Sequence, residues 1–355
     1  MSTYKEDKEA TLGYRAEQII NEELPKFCKY FFQARRDLKS SSQLAYCYDF
    51  RVFFEYLKAN DDRFSGKEIW EYELEDVAVL RKRDVEDFFT AMETYEDNRG
   101  KAVQTKPASL KRLKASLSCL WTFYITEEEL EVNPFTGVKL EKIQQKDPVR
   151  LNTEEIRIIL NTVLYGTGLA PRIQEKHEQF IERDYAIILT LLHSGIRVAE
   201  LAGLDLNDVD FRTKSFYIDR KGSKAETVYF SDAASAALNK YIMVRHEKFQ
   251  PFDTEALFLN RFGERLTERS IERMLAKYVA VALPYRKHIS PHKLRSTFAC
   301  DMLEETGGNI ELVGNILGHS KLTTTQVYAK SDMIGREAAR NLLSVPQENE
   351  DDADE

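Results

Sequence analysis

A chain of 355 residues is too long for one small core and, at roughly 100–200 residues per domain, predicts two domains. Hydrophobic residues at 43% and charged residues at 31%, with 15 Gly and 9 Pro, exclude a fibrous or disordered chain; no run approaches the roughly 18 consecutive apolar residues of a membrane span. The net charge of −8 does not exclude a nucleic-acid partner, because six acids sit in residues 348–355, ENEDDADE, leaving the rest of the chain at −2.

The polar start MSTYKEDKEATLGYR predicts no secretory leader, so a cytoplasmic protein with no membrane partner is expected. Cys28, Cys47, Cys119 and Cys300 are too scattered for a metal knuckle and too few for a disulfide scaffold, which predicts reduced thiols.

Along the chain, a helical stretch is expected around Ala16 to Phe32. Residues 41 to 59 place Leu44, Tyr48, Phe50, Phe53, Phe54 and Leu57 at helical spacing behind serines suited to a helix start. The pattern recurs at 84–95 (Val85, Phe88, Phe89, Met92) and 107–124 (Leu110, Leu113, Leu117, Leu120, Trp121, Tyr124), giving a four-helix unit over 1–137. Lys106, Lys111, Arg112 and Lys114 cluster in the first turns of the last helix, where cationic side chains reach a phosphate backbone or simply keep a helix face solvated. Asn133-Pro134 stops the helical region, and the polar, aperiodic segment 138–150 predicts a linker.

A second domain is expected over 151–345. Asn152 and Thr153 announce a helix in EEIRIIL, and another follows at Ile181 to His193. SFYID (215–219) and ETVYF (226–230) flank the turn RKGSKA and predict a β-hairpin. Helices are then expected near 232–246, 267–280, 292–304, 309–317 and 322–343, with a disordered acidic tail over 346–355. The fold class is therefore mainly α with a small β-hairpin or sheet (α+β).

Four segments of the second half stand out: SGIRVAEL (194–201), RKGSK (220–224), PHKLRSTFA (291–299) and LGHSKLTTTQVYAK (317–330). In this order they resemble the catalytic boxes of the tyrosine recombinase (phage integrase) family. The resemblance implies a helical core-binding (SAM-like) N-terminal domain and a catalytic C-terminal domain forming a two-domain C-shaped clamp on double-stranded DNA. It also implies a tetramer of four protomers on two sites, a 3′-phosphotyrosine link and a Holliday-junction intermediate. The catalytic set it implies falls on Arg197, Lys221, His292, Arg295, His319 and Tyr328, with Glu200 as the supporting acid of the first box.

Each of these positions also makes chemical sense. Breaking and rejoining a strand without an energy cofactor requires a covalent protein–phosphate link, which a tyrosine hydroxyl such as Tyr328 can form. Charge building on the non-bridging oxygens suits paired guanidinium donors, and Arg197 and Arg295 are the candidates. The departing 5′-oxygen needs a proton, assigned to Lys221 with Lys224 as the alternative on the same turn. His292 and His319 suit hydrogen bonding to phosphate and movement of the tyrosine proton. No Cys/His array or HExxH occurs, so no metal and no cofactor are expected.

The chain departs from common family patterns at Ser296, where many relatives have His, and at Ala329 and Lys330, where Thr-His is common in Xer proteins. The two-domain length and the stretches LRKRDVEDFF and ALFLNRFGERLTERSIERMLAKY are most similar to the single-protein Xer type. That similarity implies a dif-like chromosomal site, chromosome-dimer resolution at cell division and a division-linked DNA translocase as partner. A two-domain mobile-element integrase shares the plan. Family relatives also dock their last helix on a neighbour, which would place Ile334, Ala338, Leu342 and Leu343 on the docked stripe. A type IB topoisomerase shares the Arg, Lys, Arg, His, Tyr logic but would relax supercoils without exchanging partners; an inactive DNA binder would lack one of the six positions.

Overall fold

In the computed structural model, the described residues are 4–96, 102–142, 148–220, 224–286 and 288–318, together with Thr325. The chain divides into two compact units, Met1–Gln145 and Lys146–Glu355. No helix among the described residues is long and apolar enough to cross a membrane.

The first unit contains α1 (Tyr4–Glu22), α2 (Lys26–Ala34), α3 (Ser40–Asn60), the short α4 (Leu74–Ala78), α5 (Lys82–Glu93) and α6 (Pro107–Thr126). The single stretch expected at 16–32 is two helices, because Pro25 lacks an amide donor and stands as the N-cap of α2. Two short antiparallel strands, β1 (Thr94–Glu96) and β2 (Ala102–Gln104), also lie between α5 and α6, with Thr94 opposite Gln104. Three residues are too few for period-two alternation to show in a sequence.

Aromatic rings fill this core. Phe53 of α3 meets Phe88 of α5 edge-on at 4.9 Å and Trp121 of α6 at 5.7 Å, and Trp121 meets Phe135 at 5.0 Å. Such pairs add about 0.5–1.5 kcal/mol each beyond area burial. One buried charge joins the helices: Asp49 of α3 accepts from both terminal nitrogens of Arg112, at 2.5 and 2.6 Å, and from Ser116 Oγ at 2.7 Å.

The second unit follows with α7 (Thr153–Tyr165), α8 (Pro171–Gln174), α9 (His177–Ser194), α10 (Val198–Gly203), α11 (Asp232–Phe249), α12 (Glu268–Ala282), α13 (Pro291–Glu305) and α14 (Ile310–Leu317). Asn152 caps α7 as its sequence announces: its side chain accepts from the Glu155 amide while Glu155 accepts from the Asn152 amide. A three-stranded antiparallel sheet, order β3-β4-β5, comprises Val209–Asp210, Ser215–Arg220 and Lys224–Tyr229. Phe216, Ile218 and Val228 of β4 and β5 bury one face, and Tyr217 and Tyr229 are exposed on the other.

Helix α9 organises this unit. Ala186, Ile187, Ile188, Leu189, Leu191 and Leu192 are buried in succession, so its second half is enclosed among the helices it packs on, α7, α11, α12 and α13. Near its start, Arg183 Nη2 lies 2.6 Å from Asp184 Oδ1, and Tyr278 of α12 donates to Asp184 Oδ2 at 2.8 Å. Near its end, His193 Nδ1 lies 2.6 Å from Ser231 Oγ at the start of α11.

Two predictions follow from this packing. Asp184→Ala leaves the buried Arg183 charge unpaired and should lower unfolding free energy by about 3–5 kcal/mol in urea titrations; a loss below 1 kcal/mol would contradict the pairing. Burial also holds the pKa values of His177 and His193 below the usual 6.5. The unfolded chain therefore takes up protons first as pH falls, so stability present above pH 6.5 should decline below it, by up to about 1.4 kcal/mol per pH unit for each histidine. His193→Gln should flatten that decline; an unchanged slope would show that His193 does not contribute to it.

Candidate active site

Helix α9 ends at Gly195, whose φ of 60° is left-handed backbone. A Cβ there would sit 2.4 Å from the Phe298 ring, so glycine is required both by conformation and by space. The chain turns at once into α10, with Arg197 as the N-cap residue. Glu200, one turn on, accepts from the Arg197 amide at 2.9 Å and from its Nη1 at 2.7 Å. Glu200 thus fixes both the helix start and the guanidinium. The Arg197 side chain keeps 41% of its surface exposed, against 13% for Glu200.

On α13, Arg295 follows His292 by three residues, so both leave the helix on one side. Arg295 is 3% exposed. Its Nη1 donates to the Gly195 carbonyl and its Nη2 to the Leu317 carbonyl at 2.6 Å. Arg197 Nη2 donates to the next carbonyl, Gly318, at 3.2 Å. Two arginines from boxes almost 100 residues apart in the sequence therefore meet at the Leu317–Gly318 backbone, which ends α14 with Gly318 in the left-handed region.

His292 is exposed beside them. Partial desolvation, then the positive charges of Lys293, Arg295 and Arg197, hold its pKa below the usual imidazole value, so at neutral pH the ring is uncharged and can accept a proton. Ser296, at the position where many relatives have His, is buried and donates to the His292 carbonyl at 3.0 Å.

The structure thus brings Arg197, Glu200, His292 and Arg295 together. Lys221, His319 and Tyr328 lie outside the described residues, as do Ile334, Ala338, Leu342 and Leu343 and the acidic tail. Lys221 follows Arg220, which pairs in register with Lys224 at the end of the β4–β5 ladder. Among the described residues no group of three or more His, Cys, Asp or Glu side chains is placed to hold a metal ion.

Of the four basic positions on α6, Lys106 is the exposed N-cap and Lys111 is half-buried. Arg112 is bound to Asp49, and Lys114 donates to the Val138 carbonyl at 2.6 Å. Both side chains therefore have structural work inside the first unit. Sequence reading missed Asp49 and Gly195. The Asp49 pairing spans 63 residues and leaves no local signal, whereas the Gly in SGIR was visible as a helix terminator.

The phage integrase family profile matches residues 150–334. Tyrosine recombinase XerC of Actinobacillus pleuropneumoniae is 35% identical over 212 residues, which span 60% of this chain and 64%, just under two thirds, of that protein. Tyrosine recombinase XerC of Caldanaerobacter subterraneus is 28% identical over 329 residues, 92% of this chain and 87% of that one. In fold, the chain is similar to the Tn1549 transposon integrase solved with a circular-intermediate DNA, with a TM-score of 0.64 and 20% identity over 88% of this chain and 98% of that one. It is likewise similar to the XerH recombinase solved on its difH substrate, with a TM-score of 0.60 and 20% identity over 88% of this chain and 82% of that one. The ordered boxes, the arginines that meet at Leu317–Gly318 and these matches agree: the chain belongs to the phage integrase family, the tyrosine recombinases.

Proposed function

We propose that this chain cuts and rejoins duplex DNA at a specific site through a 3′-phosphotyrosine at Tyr328, exchanging strands by way of a Holliday junction. The observation that carries the reading is the meeting of Arg197 and Arg295 beside a neutral His292, the donor set that a pentacoordinate phosphoryl group needs. In the proposed step the Tyr328 oxygen forms a bond to phosphorus as the bond to the 5′-oxygen breaks. The tyrosine proton passes to His292 or His319, and the leaving oxygen takes a proton from Lys221, or from Lys224 on the same hairpin. Arg197 and Arg295 hold the non-bridging oxygens as their charge grows.

The phosphodiester energy is kept in the protein–DNA bond, so the reverse attack by a partner strand's 5′-hydroxyl needs no cofactor. The first unit would place Lys106 and Lys111 on the phosphate backbone of the duplex, and four protomers would synapse two sites. Within the family we assign the Xer role of the single-protein (XerS) type, chromosome-dimer resolution at a dif-like site in the cytoplasm with a division-linked DNA translocase. The XerC names of its relatives and the difH complex of XerH support the Xer part of that assignment.

The test is an adduct assay with nicked suicide substrates drawn from genomic DNA, including the replication-terminus region. Wild type should form a denaturant-resistant protein–DNA adduct that Tyr328→Phe cannot form, and the linked DNA should map to the terminus region. An adduct that persists in the phenylalanine variant would refute the nucleophile, and mapping to a mobile-element end would replace the Xer role with element integration.

A further inference from the structure

Beyond the DNA site, the second unit has a cavity of ≈ 520 Å³ where α8 meets the start of α9. Arg172, Lys176, Arg261 and Lys277 line it, against one carboxylate, Glu175, and the ring of Phe180. Lys277 lies 3.5 Å from the buried Asp184, whose charge Arg183 already matches at 2.6 Å. Arg172, Lys176 and Arg261 are exposed and pair with no carboxylate among the described residues; Arg261 instead stacks over Phe262 at 4.4 Å. The cavity is therefore an uncompensated concentration of positive charge.

The cavity lies apart from Arg197 and Arg295. Helix α9 is 18 residues long, about 27 Å, so its two ends are about that far apart. Gly195 and the arginines are at one end, and the cavity is at the other. A ligand of this cavity would be anionic and would bind about a helix length from the arginines.

The chain carries such a ligand in ENEDDADE, residues 348–355, with six acids in eight positions. Twenty-nine residues lie between Gly318 and Glu348, and even wholly helical that stretch would span about 45 Å, more than the length of α9. Tethering also raises the local concentration of the acidic segment to the millimolar range, so modest surface ion pairs are enough to hold it. We infer that residues 348–355 dock in cis on the cavity lined by Arg172, Lys176, Arg261 and Lys277. The docked acids thereby neutralise that surface and stay clear of the arginines that face DNA.

Zero-length carbodiimide coupling on the full chain tests this, since it joins a carboxylate to a lysine amine only where they touch. Mass spectrometry of a mixture of isotopically heavy and light protein should find links from residues 348–355 to Lys176 or Lys277 within single chains. Their yield should fall several-fold between about 0.05 and 0.5 M salt. It should fall likewise in the double variant R172E/R261E, which leaves both lysines in place and, both arginines being exposed, should fold and cut DNA as before. Links to other lysines with none at Lys176 or Lys277, or yields unchanged by the double variant, would overturn the proposal. Heavy–light links would assign the cavity to the tail of a second copy and overturn docking in cis.

Discussion

Burying a guanidinium costs several kcal/mol unless its donors are met, and Arg295 is 3% exposed. The acceptors it meets are the carbonyls of Gly195, the C-cap of α9, and Leu317, the last residue of α14, which would otherwise be left without intrahelical partners. One side chain thus satisfies two helix ends and ties α9 to α14. Because the charge also favours carbonyls at C-terminal helix ends, where the macrodipole is negative, the arrangement is stabilising where a neutral residue would not be. The place of Arg197, two residues after Gly195 and bonded to Gly318, depends on this junction.

The remainder of the second unit is a frame for that junction. A helix whose second half is enclosed cannot shift along its axis without opening its contacts, so α9 sets the position of Gly195. Charges within α9 and just past its end are handled differently: Asp184 is matched inside the core, whereas Arg197 is steadied by Glu200 and left 41% exposed. The first unit uses the same device, with Asp49 of α3 binding Arg112 of α6. A charge that sequence reading offers to DNA is there a strut between two helices.

What was legible in the sequence follows the range of each signal. Helix α7 was readable because Asn152 and Glu155 are three residues apart, and β4 and β5 because Phe216, Ile218 and Val228 alternate with exposed Tyr217 and Tyr229. The break at Pro25 was also local, but apolar positions at near-helical spacing on both sides of it, Ile19, Leu24, Phe27 and Phe31, hid it. Arg197, His292 and Arg295 could be named because their motifs are short and ordered, yet no motif tells which carbonyls Arg295 holds. Those lie 100 and 22 residues away, as Asp49 lies 63 residues from Arg112, and such partners are fixed only by packing.

The central claim is that Arg197 is held so that its charge meets a phosphate oxygen in the transition state. Its bonds to Glu200 and Gly318 offer a competing explanation for any loss on substitution, namely that the residue only supports the fold. Single-turnover cleavage by wild type and Arg197→Ala on nicked substrates with either a phosphodiester or an uncharged methylphosphonate at the scissile position separates the two. The account predicts a loss of roughly 10²–10³-fold on the phosphodiester and a far smaller loss on the methylphosphonate, where a methyl group replaces one charged oxygen and the guanidinium has less charge to neutralise. Equal losses on both substrates would contradict it.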